Sequence, residues 1–248
     1  MSTTIFLFIS KKGEQEMENW LEREELLIGK ENVEKINNTK VAIFGCGGVG
    51  SYAVEALARA GIGKFVLVDK DVVDLTNINR QLIADTTTVG RTKVEVEKER
   101  ILKINPKASV EIHKEFYTEN NRNELVRNDY DYIVDAIDSV SSKVALIQTA
   151  HEKNINIISA MGMGNKLNPT MINVADISKT EVCPLAKVMR KKLKQLGILH
   201  TKVVYSKELP TRADNSEENK RATASISFMP SVAGLIIASE IIKDVICK

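Results

Sequence analysis

Seven residues, Gly45-Cys46-Gly47-Gly48-Val49-Gly50-Ser51, restrict what this chain can fold into more than any other stretch. Before them stands a short apolar run, Lys40-Val41-Ala42-Ile43-Phe44, which reads as a buried parallel strand. After them Tyr52, Ala53, Val54, Ala56, Leu57 and Ala60 make a helix of mostly small residues that Gly61 ends. Glycines between strand and helix let the backbone come close to an anion, and the free N–H groups of the helix start point at it. Gly45, Gly47 and Gly50 satisfy the dinucleotide fingerprint, with Gly48 beside them. A second strand over 64–68 ends in Asp69, where a carboxylate can accept hydrogen bonds from ribose hydroxyls, and Asp71 follows. Strand, glycine turn, helix and acid together predict a bound nucleotide.

The next segment separates hydride chemistry from phosphate chemistry. A redox domain gives no particular reason for the polar stretch Asn77-Ile78-Asn79-Arg80-Gln81 so soon after the second strand. A site that transfers a nucleotidyl group does, because the pentacovalent transition state at the α-phosphorus needs cations and donors aimed at non-bridging oxygens. Arg80 supplies a planar fork for phosphate and Asn77 an amide donor. Lys93 opens the helix after the Gly90-Arg91-Thr92 turn and adds a point charge. Asp138, in Asp135-Ala136-Ile137-Asp138-Ser139, follows another apolar strand, on the edge where ligands of open α/β sheets gather. A carboxylate among phosphates there is placed to hold Mg²⁺, which keeps most of its waters and needs few protein ligands.

The rest of the chain fits the same architecture. Strands over 110–113, 132–135 and 155–159 alternate with helices over 91–103, 119–127 and 141–152. Alternating βα units imply a doubly wound, mainly parallel sheet with right-handed crossovers. From Thr170 the pattern changes: a strand over 171–175, a basic helix, a strand over 201–206, a polar stretch over 207–221 read as a mobile loop, and a packing helix over 230–246. The expected division is a disordered extension over 1–17 and one domain over 18–248. That domain has a nucleotide-binding core at 40–160, a substrate-side region at 161–225 and the C-terminal helix.

With 248 residues and 43% hydrophobic content, the chain can bury one substantial core. Its 3 cysteines, Cys46, Cys183 and Cys247, form no C-x-x-C pair, which excludes a Cys₄ zinc site and fits a reducing cytoplasm. No apolar stretch reaches membrane-spanning length, and residues 5–9 lack the flanks of a secretory signal. The net charge of +2 says little, but Lys187, Arg190, Lys191, Lys192 and Lys194 crowd one amphipathic segment. It reads as a solvated helix face and is compatible with RNA contact.

The stretches GCGGVGS (45–51), DKDVVDLTNINRQ (69–81), VGRTK (89–93) and DAIDS (135–139) closely resemble the ThiF/MoeB/HesA superfamily of ubiquitin-activating-like adenylating enzymes. The TNINRQ variant, residues 162–170 and residues 176–186 are most similar to its tRNA threonylcarbamoyladenosine dehydratase branch. That resemblance implies a Rossmann-like fold, ATP with Mg²⁺, and adenylation of the carboxylate of threonylcarbamoyladenosine followed by ring closure within that side chain. Gly45, Gly47, Gly48 and Gly50 would cradle the nucleotide, with Asp69 on the ribose and Asp71 also in the nucleotide site. Asn77, Arg80 and Lys93 would stabilise the phosphates, and Asp138 would hold Mg²⁺. Arg23 occupies the position of an arginine that reaches the phosphates, often from a partner subunit, so a homodimer is implied. The resemblance implies a tRNA substrate and admits a sulfur-transfer protein partner. Two other readings stay open at this point. One is adenylation of the C-terminal carboxylate of a small sulfur-carrier or ubiquitin-like protein, with Cys183 as its thiol. The other is a nucleotide-binding module without chemistry.

Overall fold

The computed structural model describes residues 20–211 and 223–247. Seven strands form one sheet: β1 Lys40–Phe44, β2 Lys64–Val68, β3 Ser109–His113, β4 Tyr132–Asp135, β5 Asn156–Ala160, β6 Ile172–Asp176 and β7 Lys202–Ser206. Their order is β3-β2-β1-β4-β5-β7-β6, and every pair is parallel except β6 with β7. The mainly parallel, doubly wound sheet expected from the alternation is therefore present.

The strand sequences explain why two layers of helices are needed. In β1, Val41, Ala42, Ile43 and Phe44 are all fully buried, so both faces of the strand must be covered. Val41 and Ile43 join one core with Phe65 and Leu67 of β2, while Ala42 and Phe44 join the other with Val66 and Val68. The first core is covered by α2 Lys30–Asn38, α3 Gly50–Arg59, α4 Lys93–Ile104 and α8 Phe228–Ile246. The second is covered by α5 Arg122–Leu125, α6 Val140–Glu152 and α7 Pro184–Gln195. Full burial of each large side chain contributes about 1.5–3 kcal/mol. The central strands thereby hold the loops at their carboxyl ends in fixed positions.

The helices depart from expectation at two places. The helix expected over 119–127 shortens to Arg122–Leu125. There the Asn121 side chain accepts from the Thr118 N–H at 2.8 Å, and Arg127 is drawn to Glu111 through two bonds of 2.7 and 2.6 Å. Two helices without a sequence expectation, α1 Glu22–Ile28 and α2, precede β1. Val33 and Ile36 of α2 anchor it, whereas α1 buries no residue fully. The extension over 1–17 and most of the loop expected over 207–221 lie outside the described residues. Among the described residues no helix is long and apolar enough to cross a membrane.

Candidate active site

From β1 the chain proceeds to β2 and β3 on one side and then crosses to β4 on the other. This reversal opens a crevice beyond the carboxyl ends of β1 and β4, the usual ligand position in open α/β sheets. Phe44 pairs with Asp135 at that edge, so the glycine turn and the Asp135–Asp138 loop emerge side by side. Gly45 has φ +96°, and a Cβ there would lie 2.6 Å from the Ala136 carbonyl oxygen. A Cβ on Gly50 would lie 1.8 Å from the Gly45 oxygen. Any larger residue at either position would push the helix start away from the strand end.

Asp69 is built into the same turn. Its Oδ2 accepts the Cys46 N–H at 2.7 Å and its Oδ1 accepts the Asp71 N–H at 2.8 Å. Burial raises its carboxyl above the ordinary range, against the opposing pull of the Lys93 charge and these two donors. Each oxygen retains a lone pair for a further donor. Burial, with Glu97 and Asp69 nearby, pushes the fully buried Cys46 thiol well above its ordinary range, which leaves it an inert filler.

Lys93 is the first residue of α4 and only 6% exposed. Its Nζ pairs with Asp71 Oδ2 at 3.0 Å, and its backbone N–H donates to the Asp71 carbonyl at 3.0 Å. Arg80 is half-buried, its Nη1 donating to the Thr76 carbonyl and to Asn79 Oδ1, both at 2.9 Å. Both cations are thus oriented before any ligand arrives. Buried Gln81 also faces the crevice, and its Oε1 has no partner among the described residues. An acceptor left bare at such a place matches a ligand that donates.

A buried ion pair supports the Asp138 loop. Lys143 and Asp135 are both fully buried, with Nζ 3.0 Å from Asp135 Oδ1. Lys143 also donates to the Ile137 carbonyl at 3.0 Å, while Ser159 Oγ donates to Asp135 Oδ2 at 2.5 Å. The Ile137 N–H returns to Asp135 Oδ1 at 3.2 Å. The loop is therefore clamped up to the residue before Asp138, whose carboxylate is exposed at the crevice wall.

The crevice is a cavity of about 680 Å³, within the size range of small-molecule sites. It brings together Gly45, Gly47, Gly48, Asp69, Asp71, Arg80, Lys93 and Asp138. Gly50 lies behind the turn, buried. Asn77 does not line the cavity: its Oδ1 accepts the Asp74 N–H at 3.1 Å and caps the short turn that carries Arg80. Arg23 is exposed on α1 and does not line it either. The far half of the cavity is walled by Met161, Gly162, Met163, Gly164 and Leu185. Cys183 sits behind that wall, 2% exposed, its Sγ 3.8 Å from where a Cβ on Gly162 would be.

Sequence reasoning missed Phe116, which faces the cavity with Lys70 Nζ 4.7 Å from its ring centroid. It also missed Lys143. A lone aromatic in a loop carries no pattern, and a lysine inside a helix reads as solvated. Among the described residues no group of three or more His, Cys, Asp or Glu side chains could hold a metal ion. The single carboxylate of Asp138 suits a cation that takes most of its ligands from phosphates and water, as Mg²⁺ does.

Comparison with known proteins identifies the family. The family model described as ThiF family matches residues 21–247. The tRNA threonylcarbamoyladenosine dehydratase of Bacillus subtilis is 44% identical over 237 residues, covering 90% of this chain and 93% of that protein. A relative in Saccharomyces cerevisiae, tRNA threonylcarbamoyladenosine dehydratase 2, is 35% identical over 242 residues, of which the match spans 54% of its length. The crystal structure of the Escherichia coli dehydratase TcdA in complex with ATP superposes with a TM-score of 0.83 at 34% identity, covering 90% of this chain and 92% of that one.

Proposed function

The chain belongs to the ThiF family, and from that premise we propose that it uses ATP to dehydrate threonylcarbamoyladenosine in tRNA. The substrate carboxylate is already ionised, so it attacks the α-phosphorus without a general base and pyrophosphate leaves. The resulting acyl-adenylate is attacked from within the same side chain, closing a ring and releasing AMP. One carboxylate oxygen departs on AMP, which is the oxygen of the water formally lost. ATP is consumed once per ring.

The observation that carries this reading is the two-ended cavity. One end gathers an anion cradle, a ribose-side acid and two cations, and the other continues into a wall of glycine and methionine. The first end suits a triphosphate; the second leaves room for an acyl group beside the α-phosphorus. In this reading Gly45, Gly47 and Gly48 face the phosphates, with Gly50 allowing the helix start to approach. Asp69 accepts from the ribose. Arg80 and Lys93 stabilise charge on the phosphorus oxygens, with Lys93 held in place by Asp71. Asn77 acts by supporting the turn that carries Arg80. Mg²⁺, held by Asp138 and the phosphates, would screen charge on the departing pyrophosphate.

A homodimer with Arg23 reaching the neighbouring site is part of the proposal. Its support is the α1 surface, where Leu26 and Leu27 are 82% and 83% exposed beside an arginine that does not line its own cavity. A cytoplasmic location follows from the tRNA substrate. The carrier-protein alternative needs a productive thiol, and Cys183 is too buried for one.

The test is to incubate the protein with ATP, Mg²⁺ and tRNA whose threonylcarbamoyl carboxylate carries ¹⁸O, then weigh the nucleosides and nucleotides. ATP-dependent loss of one water from the nucleoside, with the label in AMP, is expected. An unchanged nucleoside mass refutes the reading, and label in inorganic phosphate refutes adenylation.

A further inference from the structure

We infer that the outward face of α7 is the surface on which the RNA backbone lies while the modified nucleoside occupies the cavity. This rests on the proposed function and specifies how its substrate is held. Twelve residues, Pro184–Gln195, contain five cations and no carboxylate. Ala186, Met189 and Leu193 are buried and fix the helix against the second core. Arg190 is turned inward, its Nη1 donating to the Thr180 carbonyl at 2.8 Å, so it secures the preceding turn and is not part of the face. Lys187, Lys191 and Lys194 are exposed and recur at i, i+4 and i+7, which puts them on one side of the helix. Lys192 is exposed on the other flank.

Two observations distinguish this face from an ordinary solvated helix. Among the described residues many basic side chains elsewhere are neutralised, Arg59 and Arg100 by Glu55, Lys114 by Glu95, Arg127 by Glu111, Lys202 by Asp244 and Lys243 by Glu240, whereas this helix carries no carboxylate of its own. Among the described residues none of Lys187, Lys191, Lys192 and Lys194 has an ion-pair partner. The helix also starts at the active site, because Leu185 forms part of the cavity wall. Leu185, Val188 and Lys192 follow one stripe, so Lys192 lies about 10 Å along the axis from the wall. A polyanion leaving the cavity on this side meets Lys192 first and crosses the outward face to Lys187, Lys191 and Lys194, which lie roughly 100–160° further round the helix. The spaced point charges contact phosphates and read no sequence, as suits a surface whose task is positioning.

The experiment compares wild type with a quadruple variant, Lys187→Ala, Lys191→Ala, Lys192→Ala and Lys194→Ala, using full-length tRNA bearing threonylcarbamoyladenosine. Alanine is a good helix former and these side chains point to solvent, so the fold is retained, and ATP affinity provides the check. The expected result is tRNA binding at least about tenfold weaker at physiological salt. The slope of log K against log salt should be shallower by about 0.7–0.9 for each phosphate that a lysine no longer neutralises. Activity at saturating tRNA and affinity for ATP are unchanged. The same four positions changed to arginine keep the wild-type slope. If wild type converts the nucleoside but the alanine variant binds tRNA with the wild-type affinity and slope, the surface is wrong and the function stands. If wild type neither binds this tRNA nor changes the nucleoside mass, the function itself is refuted and the surface with it.

Discussion

Lys143→Met separates the clamp beneath the site from the site itself. The amine sits at zero exposure, 3.0 Å from Asp135 Oδ1 and 3.0 Å from the Ile137 carbonyl, and Asp135 is equally buried. Methionine matches the length of the stem but strands a carboxylate in the core. Ser159 and the Ile137 N–H still donate to that carboxylate, yet no positive charge remains beside it. Removing one partner of a buried pair costs about 3–5 kcal/mol, a large fraction of the whole stability of a domain. Asp135→Asn in the same chain removes the stranded charge. The double variant should then be more stable than the sum of the two single losses by about 1–3 kcal/mol. Urea unfolding at constant pH measures all four corners of the cycle. At an unchanged m-value the single variant's midpoint should fall by more than about 1 M. A loss below about 1 kcal/mol for Lys143→Met, or strict additivity in the double variant, would refute the argument that the pair clamps this loop.

Three further outcomes follow from the site and its supports. Arg80→Ala should lower kcat/KM by roughly a hundredfold, about 3 kcal/mol, with the fold intact by circular dichroism; retention of most activity would remove Arg80 from its role at the phosphates. Glu97 is fully buried with both oxygens unpartnered among the described residues, and burial raises its carboxyl well above its ordinary value of 4.5. The folded state therefore binds the proton more tightly than the unfolded chain. This contribution to stability is present in full below the ordinary glutamate range and falls by about 1.4 kcal/mol per pH unit from there up to the raised value. Glu97→Gln should flatten the profile of unfolding free energy against pH above 4.5, and identical profiles for the two proteins would sink this account. Mixing Arg23→Ala with Arg80→Ala, each impaired alone, should recover activity if Arg23 serves the neighbouring subunit; a mixture no better than its parts would confine Arg23 to its own chain.

How far the chain could be read depended on the range of the interaction. Strand, glycine turn, helix and acid are contiguous between Lys40 and Asp69, so their periodicities and the steric demands of glycine are written locally. The parallel sheet followed for the same reason, since fully apolar strands alternating with helices have few other ways to bury both faces. The cations at 80 and 93 and the acid at 138 were recognisable as residue types suited to phosphate.

Which of these side chains share one wall was settled by the fold. Asn77 and Arg80 stand three residues apart in one polar stretch, yet one caps a turn and the other faces the cavity. Lys93 looks like a surface charge in sequence and is 6% exposed because Asp71, across the turn, holds it. Lys143 reads as a solvated helix residue and is fully buried, since its partner is the last residue of a strand that forms elsewhere in the chain. Hydrophobic periodicity and turn chemistry act over a few residues and are legible in order. Desolvation and charge pairing depend on what the whole chain folds over a group, and only the tertiary structure decides that.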